Sequence, residues 1–510
     1  MEFLLYFDWL WSDWLALSLL IGGTIGGLIL GATPGLSPTM AVALLIPFTF
    51  KLSPEHGLIL LGAAYTSTVA GGAVSAILLK IPGAPANIAT ALDGNAMAKN
   101  GEGARALHLS FLSSGVGGVI GVLLLIFLTP LLAKWALAFG PAELFWLAIL
   151  GVTVIGTLDT KSFVKGLLSG AFGFFLATIG FETFLYGTPR FVFSDTLAGG
   201  IHIIPALIGL FAIPQVFEMF AKGRTPSAIE AIRVPAANLI KSIYELAHNW
   251  ITVTIGTIVG VIIGLIPGVG GQIAGLVAYD QAKKTDPDPD SFGQGNPKGV
   301  IAAESANNAM VGPSLVPLLV LSIPGSPTAA VLLGGLLIHG IFPGSDIFVK
   351  HPEVAWTFIN SMLIGQILMV VFGILISAWA AQIARVPRSF MAPIVLILAL
   401  FGAFSVQNSM GDVYIMFALG AGMYFLGKFG FSAAPLVLGL ILGKIAEGNF
   451  MQGKQLGEAA ARKSENPWFF YFFDGALNWV LIALVIASIA YSFWANVVAK
   501  PKTPVAGGAA

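Results

Sequence analysis

The chain has 510 residues, 56% of them hydrophobic and only 10% charged, at a mean hydropathy of +0.89, whereas a soluble domain carries about 25% charged residues. That composition is the signature of a polytopic membrane protein. A formal net charge of zero gives no reason to expect nucleic acid, and the absence of cysteine excludes disulfides, thiolate chemistry and cysteine-ligated metals.

In chain order, residues 1–23, MEFLLYFDWLWSDWLALSLLIGG, carry three acids and no basic residue. This first apolar segment lacks the positive start of a cleaved signal peptide and is expected to remain in the mature protein. The stretch GTIGGLILGATPG (23–35) ends in Pro34-Gly35 and is followed at once by Ser37-Pro38. KIPGAP (80–85) interrupts another apolar run, and HLSFLSSGVGGVIGVLLLIFLTPLLA (108–133) has the length of a full helical crossing. GTIVGVIIGLIPG (256–268) precedes an acidic, Pro-rich stretch, KKTDPDPDSFGQGNPK (283–298), that reads as a solvated loop. SIPGSP (322–327) breaks a further run, and LNWVLIALVIASIAYSFWANVVA (477–499) supplies a last span. A membrane β-barrel would show shorter alternating segments, and these are absent.

Cytoplasmic loops accumulate Lys and Arg. The basic stretches 159–165, 221–246 and 384–390 are therefore placed inside, which puts 182–196 and 344–354 outside and 93–107 inside. No Lys or Arg precedes Lys51, so the N-terminus is expected outside, at the periplasmic face of a bacterial inner membrane. The basic loop 454–466 resists the scheme, because the alternation puts it outside.

Residues 23–35 align with 256–268 at a constant offset of 233, with eight identities in thirteen positions, including Gly31 with Gly264 and both Pro-Gly pairs. KIPGAP then aligns with SIPGSP at an offset of 242, the nine extra residues being taken up by the 283–298 insertion. The loops that follow the two IPG breaks fall on opposite sides, so the halves are expected to be inverted repeats, as in many secondary transporters. The expected domains are a first repeat over 1–245, a second over 246–470, and an extra helix with tail over 471–510.

Proline inside a helix removes a backbone hydrogen bond, and irregular backbone at membrane depth is tolerated only where protein or a water-filled cavity satisfies it. Each break is followed by a helix-start signal: Ser37-Pro38, Pro85 and Ser326-Pro327. A single break reads as a kink near the interface. Two matched pairs in opposed halves read instead as half-helix N-termini converging on an anion.

The stretches GATPGLSPTMAVALLIPFTF, GGAVSAILLKIPGAPANIATALDGNAMAKNGEGARAL, IPGVGGQIAG and ESANNAMVGPSLVPLLVLSIPGSPTAAVLLGG resemble the large membrane subunit of the tripartite tricarboxylate transporters, TctA, and the likeness spans almost the entire chain. The resemblance implies an importer of citrate or a related carboxylate driven by a cation gradient, usually sodium, with a proton as the alternative. It also implies a small four-helix membrane partner and a periplasmic solute-binding protein that delivers the substrate. No other cofactor is expected, and a homodimer is compatible with the sequence but not written in it.

Within that reading a carboxylate solute needs several donors at once. The backbone N–H groups and hydroxyls around Thr33, Pro34, Gly35, Ser37, Thr39, Gly83, Asn87, Gly268, Gln272, Gly325, Ser326 and Thr328 are the natural suppliers. Sodium needs oxygens: carbonyls freed at Gly35, Gly83, Gly268 and Gly325, supplemented by Thr66, Ser305, Asn307 and Asn308. Each polar residue taken singly reads equally as interhelical glue. Lys80, whose repeat mate is Ser322, reads either as a buried cation beside the carboxylate or as a side chain snorkelling to the interface. Asp93 and Glu304 flank the breaks, where either reads as neutralising a coupling cation or carrying a proton; Asp93, at a helix exit, reads more as a structural or gating residue, and Glu304 equally as an interfacial acid in the first turn of its helix.

The six His residues have no metal-ligand spacing, and neither H-E-x-x-H nor G-x-S-x-G occurs, so an intramembrane enzyme is not expected. GVGG (268–271) is a weak match to a potassium-filter loop, and an ion channel or anion-conducting pore is kept as the rival class. The expected fold is therefore all-α, with two inverted-topology repeats, broken or re-entrant helices, and about 11–12 transmembrane segments. Paired hairpin-like breaks favour an elevator motion over rocking.

Overall fold

The structure, a computed structural model, describes residues 2–81, 84–136, 139–158, 163–181, 187–222, 239–266, 270–344, 346–377, 379, 382, 388–462 and 466–493. The helices in chain order are α1 (Glu2–Ser12), α2 (Trp14–Ala32), α3 (Pro38–Thr49), α4 (Pro54–Leu79), α5 (Ile88–Met97), α6 (Gly103–Ala136), α7 (Pro141–Leu158), α8 (Phe163–Ala177), α9 (Ile203–Lys222) and α10 (Leu239–His248). There follow α11 (Trp250–Leu265), α12 (Gly270–Thr285), α13 (Pro297–Ala309), α14 (Val316–Leu321), α15 (Pro327–Ile338), α16 (Ile347–Lys350) and α17 (Pro352–Ser377). The last four are α18 (Arg388–Ser405), α19 (Met410–Lys428), α20 (Ala433–Ala461) and α21 (Ala476–Phe493). Among the described residues the only sheet is a two-residue antiparallel pair, Gly180–Phe181 with Pro189–Arg190.

Among the described residues seven helices are long and apolar enough to cross a membrane, and an eighth span results if α10 and α11, bent by 74°, count as one. Shorter apolar helices accompany them, among them α3 and α15 with 12 residues each. Against the expected 11–12 crossings, the described residues supply seven or eight full spans with shorter apolar helices beside them, and α2 and α4, which end at the Pro-Gly breaks, are themselves full spans.

Sequence dictates where these helices start. Ser37, Ser53, Asn296 and Ser326 each accept a hydrogen bond from a first-turn N–H of α3, α4, α13 and α15, and each is followed by proline at the first helical position. The ends of α4 and α14 also match. Lys80 (φ 56°) and Ser322 (φ 60°) close them in the left-handed conformation. Their N–H groups return to Ala76 and Leu318, and those of Ile81 and Ile323 to Ser75 and Pro317, the paired bonds of a Schellman cap. Every member of one cap lies 242 residues from its mate.

The chain forms two compact units, 1–138 with 194–425 and 139–193 with 426–510, each drawing chain from both expected repeats. In the larger unit the repeat is visible as packing. A Cβ at Gly23, Gly27 or Gly31 of α2 would come within 2.8 Å of the carbonyl oxygens of Leu60, Ala64 and Thr68 of α4. The mates Gly256, Gly260 and Gly264 of α11 stand within 2.7 Å of the carbonyls of Ala302, Ala306 and Met310. Small residues at this spacing let two backbones touch, which is how membrane helices associate without a hydrophobic drive. In the smaller unit α8 and α20 approach in the same way at Gly173 and Gly439, and Phe145, Trp146, Phe450 and Phe472 stack beside them.

Candidate functional site

The broken helices of the two halves meet crosswise in the larger unit. α3, which follows the first break of the first half, packs on α15, which follows the second break of the second half. α12, after the first break of the second half, packs on residues 85–97, after the second break of the first. Under the repeat these are one contact seen twice.

At the first of these contacts Ser37-Pro38-Thr39 and Ser326-Pro327-Thr328 bring two helix starts together, with the Thr39 and Thr328 hydroxyls 3.0 Å apart. Thr39 and Thr328 are second residues of their helices, where the helix itself supplies no acceptor for the N–H. Ser37 Oγ accepts from Met40 N (3.3 Å) and from Gln215 Nε2 of α9 (3.2 Å). Ser326 Oγ accepts from Ala329 N (3.1 Å) and lies 3.1 Å from the Tyr65 hydroxyl, which also reaches Ser314 Oγ at 3.2 Å. A Cβ at Gly325 would lie 2.5 Å from the Ser314 carbonyl oxygen and 3.1 Å from that of Gly264, so only glycine lets the break nest against the end of α11. Two positive helix ends, two N–H groups and a hydroxyl pair thus converge, the chemistry that holds an oxyanion.

One helix away, α13 is buried from Gly299 to its end. Its Asn307 and Asn308 leave both amide oxygens and both amide nitrogens without a partner. Gln366 of α17, whose amide lies where a Cβ on Gly118 would fall, is buried and unpartnered as well. Buried side-chain amides are almost always hydrogen-bonded, so the adjacent pair Asn307 and Asn308 points to a ligand. One turn before Asn308, Glu304 accepts from Asn87 Nδ2 (3.1 Å), the Thr90 hydroxyl and Ser114 Oγ (3.1 Å). Further down, Asp93 Oδ1 accepts the N–H groups of Gly293, Gly295 and Asn296, each at 2.8 Å, and Oδ2 the Tyr279 hydroxyl at 2.8 Å. Asp93 therefore anchors the loop that closes the acidic insertion.

Of the residues expected at the site, Ser37, Thr39, Ser326, Thr328 and Gly325 are brought together, and Gly35 (φ 90°) makes the turn that leads to them. Pro34 is buried in the same turn. Asn87 is delivered to Glu304. Thr33, Thr66 and Ser305 spend their hydroxyls on carbonyls of their own helices, at Ile29, Ala63 and Ile301. Lys80 is exposed at the end of α4. Gly83 and Gly268 lie outside the described residues, as does the side chain of Gln272 in the first turn of α12. Sequence reasoning missed Tyr65, Ser314, Gln215 and Gln366; Tyr65 sits in the small-residue run GAAYTSTVAGG, where a lone aromatic reads as core.

Comparison with known proteins agrees with this architecture. Residues 17–438 match the model of the "Tripartite tricarboxylate transporter TctA family". The chain is 34% identical over 427 residues, 83% of its length and 84% of the relative's, to an uncharacterized 52.8 kDa protein in the TAR-I ttuC' 3'region of Agrobacterium vitis. It is 36% identical over 179 residues, 35% of its length and 74% of the relative's, to an uncharacterized protein in the TAR-II ttuC' 3'region of the same organism. The chain belongs to the TctA family, the large membrane subunit of the tripartite tricarboxylate transporters.

Proposed function

We propose that this subunit imports citrate or another di- or tricarboxylate by symport with sodium across the bacterial inner membrane, its N-terminus at the periplasmic face. A periplasmic binding protein hands the solute to it, and a small four-helix membrane subunit completes the assembly. The observation that carries this reading is the meeting of the two Ser-Pro-Thr helix starts, with Thr39 and Thr328 hydroxyls 3.0 Å apart. A carboxylate there would break the hydroxyl pair and take both hydroxyls and both second-residue N–H groups as donors, each charge-assisted bond stronger than a neutral one.

Sodium would be held by the amide oxygens of Asn307 and Asn308, which are buried and unpartnered. Oxygen ligands are what a hard cation selects. Filling both sites neutralises part of the solute charge before the moving region crosses the hydrocarbon, which is what an elevator motion needs.

The test is uptake by the purified subunits in proteoliposomes with a panel of carboxylates. Saturable uptake that collapses without the sodium gradient, and a raised KM for the Thr39→Val and Thr328→Val variants, is the expected outcome. Flux that neither saturates nor depends on sodium would assign the protein to the pore class instead. Lys80→Met in the same assay decides whether that side chain meets the solute: unchanged uptake and affinity remove it from the site.

A further inference from the structure

Glu304 is wholly buried, and each of its hydrogen-bond donors is neutral: Asn87, Thr90 and Ser114. Among the described residues no cation lies in ion-pair contact with it. A carboxylate withdrawn from water with no countercharge is neutralised by a nearby ion or by a proton.

The surroundings select the proton. Both carboxylate oxygens are already engaged, Oε1 by two donors and Oε2 by one, which leaves about one acceptor position open. A metal cation with six or more oxygen ligands would have to push these donors aside. Asn87 moreover turns its amide nitrogen to the acid and its oxygen away, over Gly72, where a Cβ would lie 2.3 Å from it. A proton needs no added room. On its arrival the Thr90 hydroxyl turns from donor to acceptor, while Asn87 and Ser114 go on donating, so the acid stays satisfied in both states.

The remaining titratable groups on the elements packed against α13 are otherwise engaged. Asp93 of α5 is held by Tyr279 of α12 and three backbone N–H groups. Tyr65 of α4 is held by Ser314 and Ser326. On α6, Arg105 pairs with Glu102 and Glu245, and His108 contacts Ser377. Glu55 and His56 lie in the first turn of α4, Lys134 in the last turn of α6, and Asp280, Lys283 and Lys284 towards the end of α12. α11 and residues 85–87 carry no titratable side chain.

We propose that Glu304 is a proton-carrying group of the transport cycle, taking a proton from water on one side of the membrane and returning it to water on the other as the solute crosses. The inference rests on the transport function proposed above. The proton balance is simple: carboxylate and hydronium become carboxylic acid and water, and the reverse on release. Asn308 lies one turn from Glu304, about 6 Å along the axis of α13, so occupancy there and charge on Glu304 bias one another.

The test uses the complete transporter in proteoliposomes with a pH-sensitive dye in the lumen, and citrate as probe. Citrate counterflow reports transport alone; lumenal acidification per citrate and acceleration of uptake by an outside-acid gradient report proton coupling. Protons riding on citrate itself enter with every variant, so the difference between variants is the contribution of Glu304. In Glu304→Gln, counterflow is expected to persist while the gradient response and the excess acidification are lost; Glu304→Asp keeps both with a displaced pH profile. A Glu304→Gln protein with the wild-type proton-to-citrate ratio overturns the proposal. Should Glu304→Gln give no counterflow at all, Glu304→Asp decides, because an undisplaced pH profile overturns the proposal and a displaced one upholds it. Absence of counterflow in the wild type overturns the transport function itself.

Discussion

In the first half Gly23, Gly27 and Gly31 of α2 seat against Leu60, Ala64 and Thr68 of α4; in the second, Gly256, Gly260 and Gly264 of α11 seat against Ala302, Ala306 and Met310. Mate for mate the two contacts superimpose on the same offsets of 233 and 242 residues that align the sequences. The chemistry on this shared frame does not repeat. Glu304 has Gly62 as its mate, where a Cβ would already stand 2.8 Å from the Phe358 ring. Asn307 corresponds to Tyr65, Asn308 to Thr66, and Ser314 to Gly72. Duplication preserved the spacing that lets backbones touch, since a lost glycine would force the helices apart. It left the remaining faces free to diverge, which is how a repeated frame came to carry different side chains in its two halves.

The comparison breaks most sharply at the glycines. Gly27→Val and Gly260→Val should each lower stability by about 3 kcal/mol, because the added side chain meets atoms at 2.2 and 2.3 Å. Gly26→Val, one residue away with nothing within 4 Å of its Cβ, should change little. Thermal midpoints in detergent would show this, and a tolerant Gly260 would mean that the second contact is looser than the first.

The mates Tyr65 and Asn307 should respond in opposite directions. Tyr65→Phe removes a hydroxyl bonded to Ser314 and Ser326 and should cost about 1 kcal/mol. Asn307→Leu replaces an unpartnered buried amide with an apolar group of similar shape and should stabilise the empty protein by about 1 kcal/mol, while abolishing the effect of sodium on its melting. Loss of stability in both would show that Asn307 already has its partners without the ion.

Thr39→Val and Thr328→Val each remove the same hydroxyl contact, so the double variant should lose no more than either alone, about 1 kcal/mol in each case. An additive loss would mean that the two helix starts act independently.

The smallest effect is expected at the caps. Lys80→Gly relieves a left-handed non-glycine residue and should gain about 0.5 kcal/mol, since the steric relief exceeds the entropy glycine loses; Ser322→Gly also removes the hydroxyl's bond to the Pro343 carbonyl and should show no such gain. The acidic insertion has no counterpart in the first half and gives a pH-dependent term. Burial raises the Asp286 carboxyl, but the hydrogen bonds from Lys298 and the Asp288 N–H, with the Lys298 charge, outweigh it and leave the group below its ordinary value. Its contribution is complete above the unfolded carboxylate value of about 3.9 and fades as pH falls through the lower folded value. Asp286→Asn should remove that part of the acid sensitivity, as melting measured against pH would report.

Much of this frame was legible before any coordinates. Gly31 with Gly264 and the Pro-Gly pairs gave the repeat because close backbone contact tolerates almost no substitution, so spacing survives while composition drifts. Ser37-Pro38 and Ser326-Pro327 were legible as helix starts because capping is local. The hydroxyls were not: Thr66 and Ser305 bond back within their own helices, whereas Thr39 and Thr328 meet across 289 residues of chain, and nothing in a single hydroxyl's neighbours along the sequence separates the two fates. Tyr65 and Gln366 escaped notice because an isolated polar atom in an apolar run reads as core.

Sequence by itself determined the solvent, the helical class, the duplication and the places where helices stop, since each depends on hydropathy, glycine spacing or proline within a few residues. Only the tertiary structure decided that the breaks cross between halves, that Glu304 is met by Asn87, Thr90 and Ser114, and that Asn307 and Asn308 are left unpaired. Those outcomes depend on which helix faces are buried against one another, and a partner a hundred or more residues away leaves no local trace in the chain.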